Sequence, residues 1–320
     1  MLHKLSMPFK YLNYRRGRTR LNTYPDRLYV ESTNACNLAC VMCPNGLGLM
    51  RRARGFMDFE LFKSIMDEMA AHVEATTVHI WGEALLHPKI TEMIAYAKRY
   101  PLDVEVSTNA TLLNADMADR LLRSGLDVIY LCLDGMKQGT YEAIRKRADF
   151  EQTRRNIEEF VKLKVARGQQ RPFVNVQIIE MKATATEIAE FRRHWTTPGV
   201  DAINVKAFDS WASQVDSITG LRLWEPKVPR QRYACPNLWY HVHIYWDGTL
   251  VCCDRDFDAK YPLGNVADGV MAAWNGEAMA ELRRKHITNQ LDDVPSCSKC
   301  VEWAWWHPTW FKSRGNAPEN

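Results

Sequence analysis

The run Glu31-Ser-Thr-Asn-Ala-Cys36-Asn-Leu-Ala-Cys40-Val-Met-Cys43-Pro44 constrains this chain more than any other stretch. Its three cysteines, spaced C-x3-C-x2-C, follow Leu28-Tyr29-Val30, a short apolar run that reads as a strand. Iron–sulfur clusters are held by cysteine thiolates, and a cubane needs four of them to saturate its irons. Three local thiolates therefore leave one iron open. An open coordination position marks a catalytic metal site, where structural sites are closed. A short loop carrying Cys36, Cys40 and Cys43 can wrap a 4Fe–4S cluster so that the fourth iron faces a cavity.

Other readings of clustered thiols are a zinc knuckle, a chance grouping or a purely electron-carrying centre. Zinc usually takes paired C-x2-C units and a fourth ligand, which this spacing fits poorly. The run resembles the signature of the radical S-adenosylmethionine (SAM) superfamily. The resemblance implies that the open iron binds the amino and carboxylate groups of SAM. Reductive cleavage would then give methionine and a 5′-deoxyadenosyl radical that takes a hydrogen atom from substrate.

From Leu28 onward, apolar runs at 28–30, 77–81, 104–108, 128–133, 174–181 and 203–208 alternate with helical patterns. The helical segments are 59–71, 88–100, 115–124, 141–166 (broken near Asp149) and 187–195. That order predicts an α/β fold with parallel strands. Six strands are too few for the eight-stranded closed barrel. A partial (β/α)6 TIM-like barrel fits the count and is the fold the resemblance implies. Sites on such barrels gather at the C-terminal ends of strands, where the cysteine loop begins.

Further strand ends carry matches to the family. Trp81-Gly82-Glu83-Ala84 resembles its Gly-Gly-Glu-Pro motif, which holds the SAM amino group, with Trp and Ala replacing the first Gly and the Pro. Ser107 and Asn109 end the third strand and offer polar cofactor contacts, although such residues also favour turns. Cys132 and Asp134 follow the period of two and face one side, expected to be the lumen. Cys132 reads either as a small buried hydrophobe or as a thiol donating hydrogen to a substrate radical. Relatives commonly read Ser-x-Asp-Gly here, with the Ser, Cys132 in this chain, beside the cofactor; Asp134 matches that Asp and is an expected cofactor contact, and Arg145 matches an arginine that can pair with the cofactor carboxylate. Gln177 and Lys206 are polar positions inside apolar runs, facing either ligand or solvent.

A second constellation follows residue 210: Cys235, Cys252-Cys253 and Cys297-Ser-Lys-Cys300. Between them Asp247-Gly248 predicts a β-hairpin turn. Cys235, Cys253, Cys297 and Cys300 would close a fully ligated site, an auxiliary 4Fe–4S cluster or, alternatively, a zinc ribbon. Cys252 is the spare thiol, a buried neighbour or a reactive group. The spacing C-x12-G-x4-C resembles the SPASM extension of radical SAM proteins, and the absence of later cysteines resembles its shortened Twitch form with one cluster. The expected division is 1–26 basic irregular arm, 27–210 radical SAM barrel, 211–234 linker, 235–302 SPASM/Twitch-type domain and 303–320 aromatic tail packing over the cluster.

Bulk charge excludes little but points away from nucleic acid: Lys+Arg 42 against Asp+Glu 38 leaves +4. The basic runs 15–20 and 51–54 read as solvated faces, the second also suited to an acidic electron donor. Nine cysteines without a signal peptide or an 18-residue apolar run predict metal binding in a reducing cytoplasm, away from membranes. The resemblance implies flavodoxin or ferredoxin as reductant. Few residues precede the first strand, which favours a small polar substrate (sugar, cyclitol or similar) over a ribosomal peptide, though a peptide substrate stays open. A fully ligated second cluster is a natural electron acceptor, since cluster potentials span roughly −700 to +450 mV. Single-cluster relatives include an aminocyclitol dehydrogenase. The leading expectation is thus a radical SAM dehydrogenase or oxidoreductase. An epimerase using Cys132 or Cys252, a peptide maturase and a non-catalytic iron–sulfur or zinc protein are the alternatives.

Overall fold

A computed structural model describes residues 2–305. The strands are β1 (Arg27–Val30), β2 (Ala39–Cys40), β3 (Ala75–Thr77), β4 (Asp103–Thr108), β5 (Val128–Cys132), β6 (Arg145–Lys146), β7 (Phe173–Ile179), β8 (Ala202–Lys206), β9 (His241–Ile244) and β10 (Leu250–Val251). Six of them pair in parallel in the order β1-β3-β4-β5-β7-β8, the partial barrel expected of the βα repeat.

Alternation along the strands separates two faces. Leu28, Val104, Val106, Ile129, Leu131, Val174 and Val176 point outward and are fully buried. They pack under helices α2 (Phe59–Met69), α3 (Ile90–Ala97), α4 (Ala115–Arg123), α6 (Phe150–Ala166) and α7 (Ile188–Trp195), with α1 (Leu2–Arg15) and α5 (Gln138–Ile144) completing the barrel's helices. Asn114 caps α4 by accepting the Met117 amide at 2.9 Å, and Asp149 caps α6 after the expected break. The intervening strand residues, Tyr29, Thr77, Glu105, Ser107, Tyr130, Cys132, Asn175 and Gln177, face inward. The interior is therefore polar, unlike the layered apolar filling of a closed barrel.

Two features depart from expectation. The arm over 1–26 is not irregular: α1 occupies its first half. Tyr14 packs edge-on against Trp239 at 5.3 Å and donates to the Ala234 carbonyl at 2.7 Å. Tertiary burial of this kind, invisible to propensity, fixes most helices. Second, the C-terminal hairpin is not a detached unit. β9 lies parallel to β1 (Arg27↔His241 through Val30↔Ile244) and β10 pairs antiparallel with β9, extending the sheet to eight strands. Without β9, β1 would present an unpaired edge. Between β8 and β9, residues 211–234 hold only the short helix Asp216–Thr219. Trp303 and Trp305 of the aromatic tail are described; Trp306, His307, Trp310 and Phe311 lie outside the described residues. No helix among the described residues is long and apolar enough to cross a membrane.

Candidate active site

The segment 53–55 and a bond within the loop itself clamp the cysteine loop. Thr33 donates to the Gly55 carbonyl at 2.6 Å, Asn34 donates to Ala53 at 2.8 Å, and Asn45 donates back to Asn34 at 2.7 Å. Cys40 lies in β2, which pairs antiparallel with β6 so that Cys40 is opposite Arg145. Glu31, at the loop entrance, holds Arg52 through a two-pronged ion pair at 2.5 and 2.6 Å, and Arg52 also lies 3.8 Å over the Tyr245 ring. The basic run 51–54 is thus only partly solvated: Arg52 turns inward, while Arg51 and Arg54 stay exposed.

The loop after β3 touches this one directly. Gly82 has φ +78°, and a Cβ there would come within 2.5 Å of the Ala35 carbonyl and 2.6 Å of that of Thr33. Glu83 is buried and accepts from Leu85 N, Thr108 Oγ1 and Asn109 N at 2.7 to 3.0 Å. Its carboxylate, expected at the cofactor, here ties the ends of two strands together. Asn109 donates to Asn37 at 3.0 Å, and Asn37 donates to Thr111 at 2.8 Å, a bridge from the third strand to the cysteine loop. Asn37 was not singled out by sequence reasoning; its place between two cysteines was the available signal.

Deeper in the lumen, Cys132 sits between Ser107 Oγ (3.2 Å) and Gln177 Nε2 (2.8 Å), the latter donating to sulfur. The Ser107 amide donates to His79 Nδ1 at 3.0 Å. Asp134 and Arg145 meet each other: Arg145 donates from Nε at 2.9 Å and Nη2 at 2.7 Å, and Asp134 also takes the Ile179 amide. The pair is buried, and Arg145 stands opposite Cys40 in the β2–β6 pairing. Lys206 is exposed at the strand end. Tyr29 stacks on His243 at 4.5 Å, a residue missed although His-Val-His-Ile alternates like a half-polar strand.

An aromatic partition separates the two thiol groups. Trp81 meets Trp211 at 4.7 Å and Phe257 at 6.0 Å, and its indole donates to the Asp254 carbonyl at 3.1 Å. Trp211, Ala212 and Ser213 are consecutive left-handed residues, each conformation costing about 1–2 kcal/mol. The buried Glu302 pins that turn by accepting from Ser210, and Trp211 donates to Met42 in the cysteine loop at 2.8 Å. Beyond the partition, Cys235, Cys252, Cys253, Cys297 and Cys300 all line one cavity with Arg232, Arg255, His286 and Trp303.

Comparison with known proteins agrees with this arrangement. The family model of the radical SAM superfamily matches residues 30–179, and that of an iron–sulfur cluster-binding domain, SPASM, matches 235–301. The chain belongs to the radical SAM superfamily. It is 28% identical over 313 residues to a tungsten-containing aldehyde ferredoxin oxidoreductase cofactor-modifying protein of Pyrococcus furiosus, covering 85% of this chain and 86% of that one. It is 32% identical over 129 residues to the mycofactocin maturase MftC of Mycobacterium ulcerans, covering 40% of this chain and 34% of that one. Its fold is similar to BtrN in complex with AdoMet and 2-DOIA (TM-score 0.58, 14% identity, 88% of this chain and 94% of that one). It is similar also to Streptococcus suis SuiB bound to S-adenosylmethionine (TM-score 0.66, 14% identity, 87% and 72%).

Membership of the radical SAM superfamily implies a 4Fe–4S cluster with SAM, and the SPASM match implies auxiliary iron–sulfur. The residues present fit both. Burial pushes the thiols of Cys36 to about 11, of Cys40 and Cys235 to about 12, and that of Cys300 well above its usual range, so loading with iron must release protons. Around the second cavity Arg232 Nε, Arg255 Nε and His286 Nε2 are buried without hydrogen-bond partners, donors suited to an anionic sulfur-rich guest. Among the described residues no three His, Cys, Asp or Glu side chains are placed to hold a single metal ion.

Burial also lowers His79 to about 3 and His243 to about 4, so both lumen rings are neutral. An unfolded histidine titrates near 6.5. Below that pH the unfolded chain binds more protons than the native one, and stability falls as pH drops from about 6.5 toward 4. Thermal melts of the loaded protein are expected to shift downward between pH 7.5 and pH 5.5, with His243→Phe giving a flatter dependence. A melt that rises over that window contradicts neutral burial.

Proposed function

We propose that this protein is a radical SAM oxidoreductase that dehydrogenates a small polar substrate, a sugar, cyclitol or similar molecule. Cys36, Cys40 and Cys43 hold the SAM-binding cluster, and Cys235, Cys253, Cys297 and Cys300 hold the auxiliary one. When bound, the first cluster with SAM supplies a 5′-deoxyadenosyl radical and the second a one-electron acceptor. Arg145, fixed by Asp134, offers a cation beside Cys40 for the cofactor carboxylate, and Gly82 lets the loop of Glu83 approach the cysteine loop closely enough to frame the cofactor. Ser107 and Asn109 contribute through the positions they give Cys132 and Asn37.

The position of Asp254 supports the reaction type: it directly follows Cys253 on the auxiliary cavity, pairs with Arg255 at 3.0 Å, and its carbonyl takes the indole N–H of Trp81 from the loop after β3. Burial pushes this carboxyl up, but the cations of Arg255 and Lys206 outweigh it and keep it below its ordinary range. On this reading the ionised carboxylate takes the proton of a substrate hydroxyl or amine. Removal of a hydrogen atom, a proton and an electron from substrate amounts to dehydrogenation: Asp254 would take the proton, and the group held by Cys235, Cys253, Cys297 and Cys300 would supply the electron acceptor. His243 Nδ1 and Asn175 Oδ1 are buried without partners, unmet capacity that a hydroxylated guest satisfies. The relative matched over 85% of the chain is named for modifying a cofactor, whereas the mycofactocin maturase matches 40%.

The test uses candidate sugars and cyclitols with anaerobically reconstituted enzyme. Asp254→Asn is expected to cut product formation by roughly 100-fold or more while 5′-deoxyadenosine release continues. Placement of Cys132 in the lumen supports a second reading, epimerisation by hydrogen donation from its thiol. Deuterium uptake from heavy water into product, abolished by Cys132→Ala with SAM cleavage intact, would replace dehydrogenation with that reaction.

A further inference from the structure

The ring of His286, on the helix Glu277–Thr288, borders the auxiliary cavity and has no part in the chemistry above. Its Nδ1 accepts the Cys235 amide N–H at 3.3 Å. A nitrogen that accepts carries no proton in a neutral imidazole, so the proton sits on Nε2. That Nε2 is buried and has no partner. The other acceptors lining the cavity are taken: Glu302 receives Ser210 on one oxygen and the Val301 amide on the other, Asn237 Oδ1 meets the His241 ring at 2.6 Å, and Ser296 contacts Cys252 at 3.4 Å. What remains for a donor on this wall is sulfur.

We infer that His286 donates its Nε2–H to a sulfur of the auxiliary cluster and thereby raises that cluster's reduction potential. The inference rests on the reading that Cys235, Cys253, Cys297 and Cys300 hold a cluster. Reduction adds one negative charge, and a donor aimed at sulfur stabilises the reduced form more than the oxidised one. Cys235 fixes the ring from behind through its amide, so the thiol segment itself sets the tautomer of its neighbour. Arg232 adds to the same effect: its Nη1 donates to the Cys297 carbonyl at 2.9 Å while its buried Nε is unpartnered on the same wall. His286 is on this account a positioning and tuning residue that makes the cluster a better electron acceptor.

The experiment is an EPR-monitored potentiometric titration of the fully loaded enzyme, the auxiliary signal being the one that added SAM leaves unchanged. His286→Leu is expected to lower the reduced-to-oxidised ratio at a fixed potential about tenfold, a negative shift of ~59 mV for a one-electron couple. His286→Gln, which keeps an N–H donor, is expected to shift less. Should the Leu variant not load, His286→Phe refills the ring's volume and repeats the measurement. Loss of the second cluster from both apolar variants with retention in H286Q also supports the bond. A fully loaded H286L or H286F with the native potential overturns it, leaving the proposed reaction standing. Native protein that binds only one cluster removes the underlying reading instead.

Discussion

A variant with Cys36, Cys40 and Cys43 all changed to alanine is expected to hold about four irons per chain in place of about eight, and to release no 5′-deoxyadenosine on reduction. The loop's shape does not depend on its thiols. Thr33, Asn34 and Asn45 fix its backbone, Glu31 and Arg52 anchor its entrance, and β2 pairs with β6. The fold and the auxiliary cavity should therefore survive, and melting should shift far less than activity. Iron and sulfide analysis read the first part, and chromatography of the reduced reaction mixture reads the second. Native rates of deoxyadenosine release from this variant would remove the basis of the proposed chemistry.

Gly82→Ala should produce the next largest loss. At φ +78° a side chain is strained by about 1–2 kcal/mol before any contact is considered. Here the new Cβ also meets backbone oxygens of Ala35 and Thr33 at 2.5 and 2.6 Å, and backbone cannot swing aside as a flexible side chain can. The cysteine loop and the Glu83 loop must move apart. Affinity for SAM is expected to fall at least about tenfold, equivalent to ~1.4 kcal/mol, with lower occupancy of the first cluster. Gly48→Ala is the control: its φ is +68°, yet nothing lies within 4 Å of the added carbon. Titration calorimetry with SAM on both variants separates strain from collision; equal losses would assign the effect to backbone conformation alone.

Much of the architecture was legible because local signals agreed with the final packing. Strands alternating with helical patterns, Asn114 and Asp149 as caps, and Asp247-Gly248 at a turn each state a rule with a range of a few residues. The cysteine spacings likewise name their chemistry locally. What escaped depended on partners distant in the chain. Arg52 looked solvated until Glu31 and the ring of Tyr245 closed on it. Arg145 and Asp134, each expected at the cofactor, first satisfy one another, since a buried charge requires a counter-charge. Asp254, His243 and His286 lay in a region read for its cysteines and its hairpin turn, and their meaning comes from that hairpin joining the barrel sheet.

That joining has a mechanical consequence. The strand leading into the cysteine loop and the strand leading toward the second thiol group are rungs of one ladder, Arg27↔His241 to Val30↔Ile244. The two thiol groups are thus carried by one continuous sheet, and changing the distance between them would require breaking the β1–β9 ladder. A guest molecule must therefore reach the interior by movement of loops rather than by parting the halves of the enzyme.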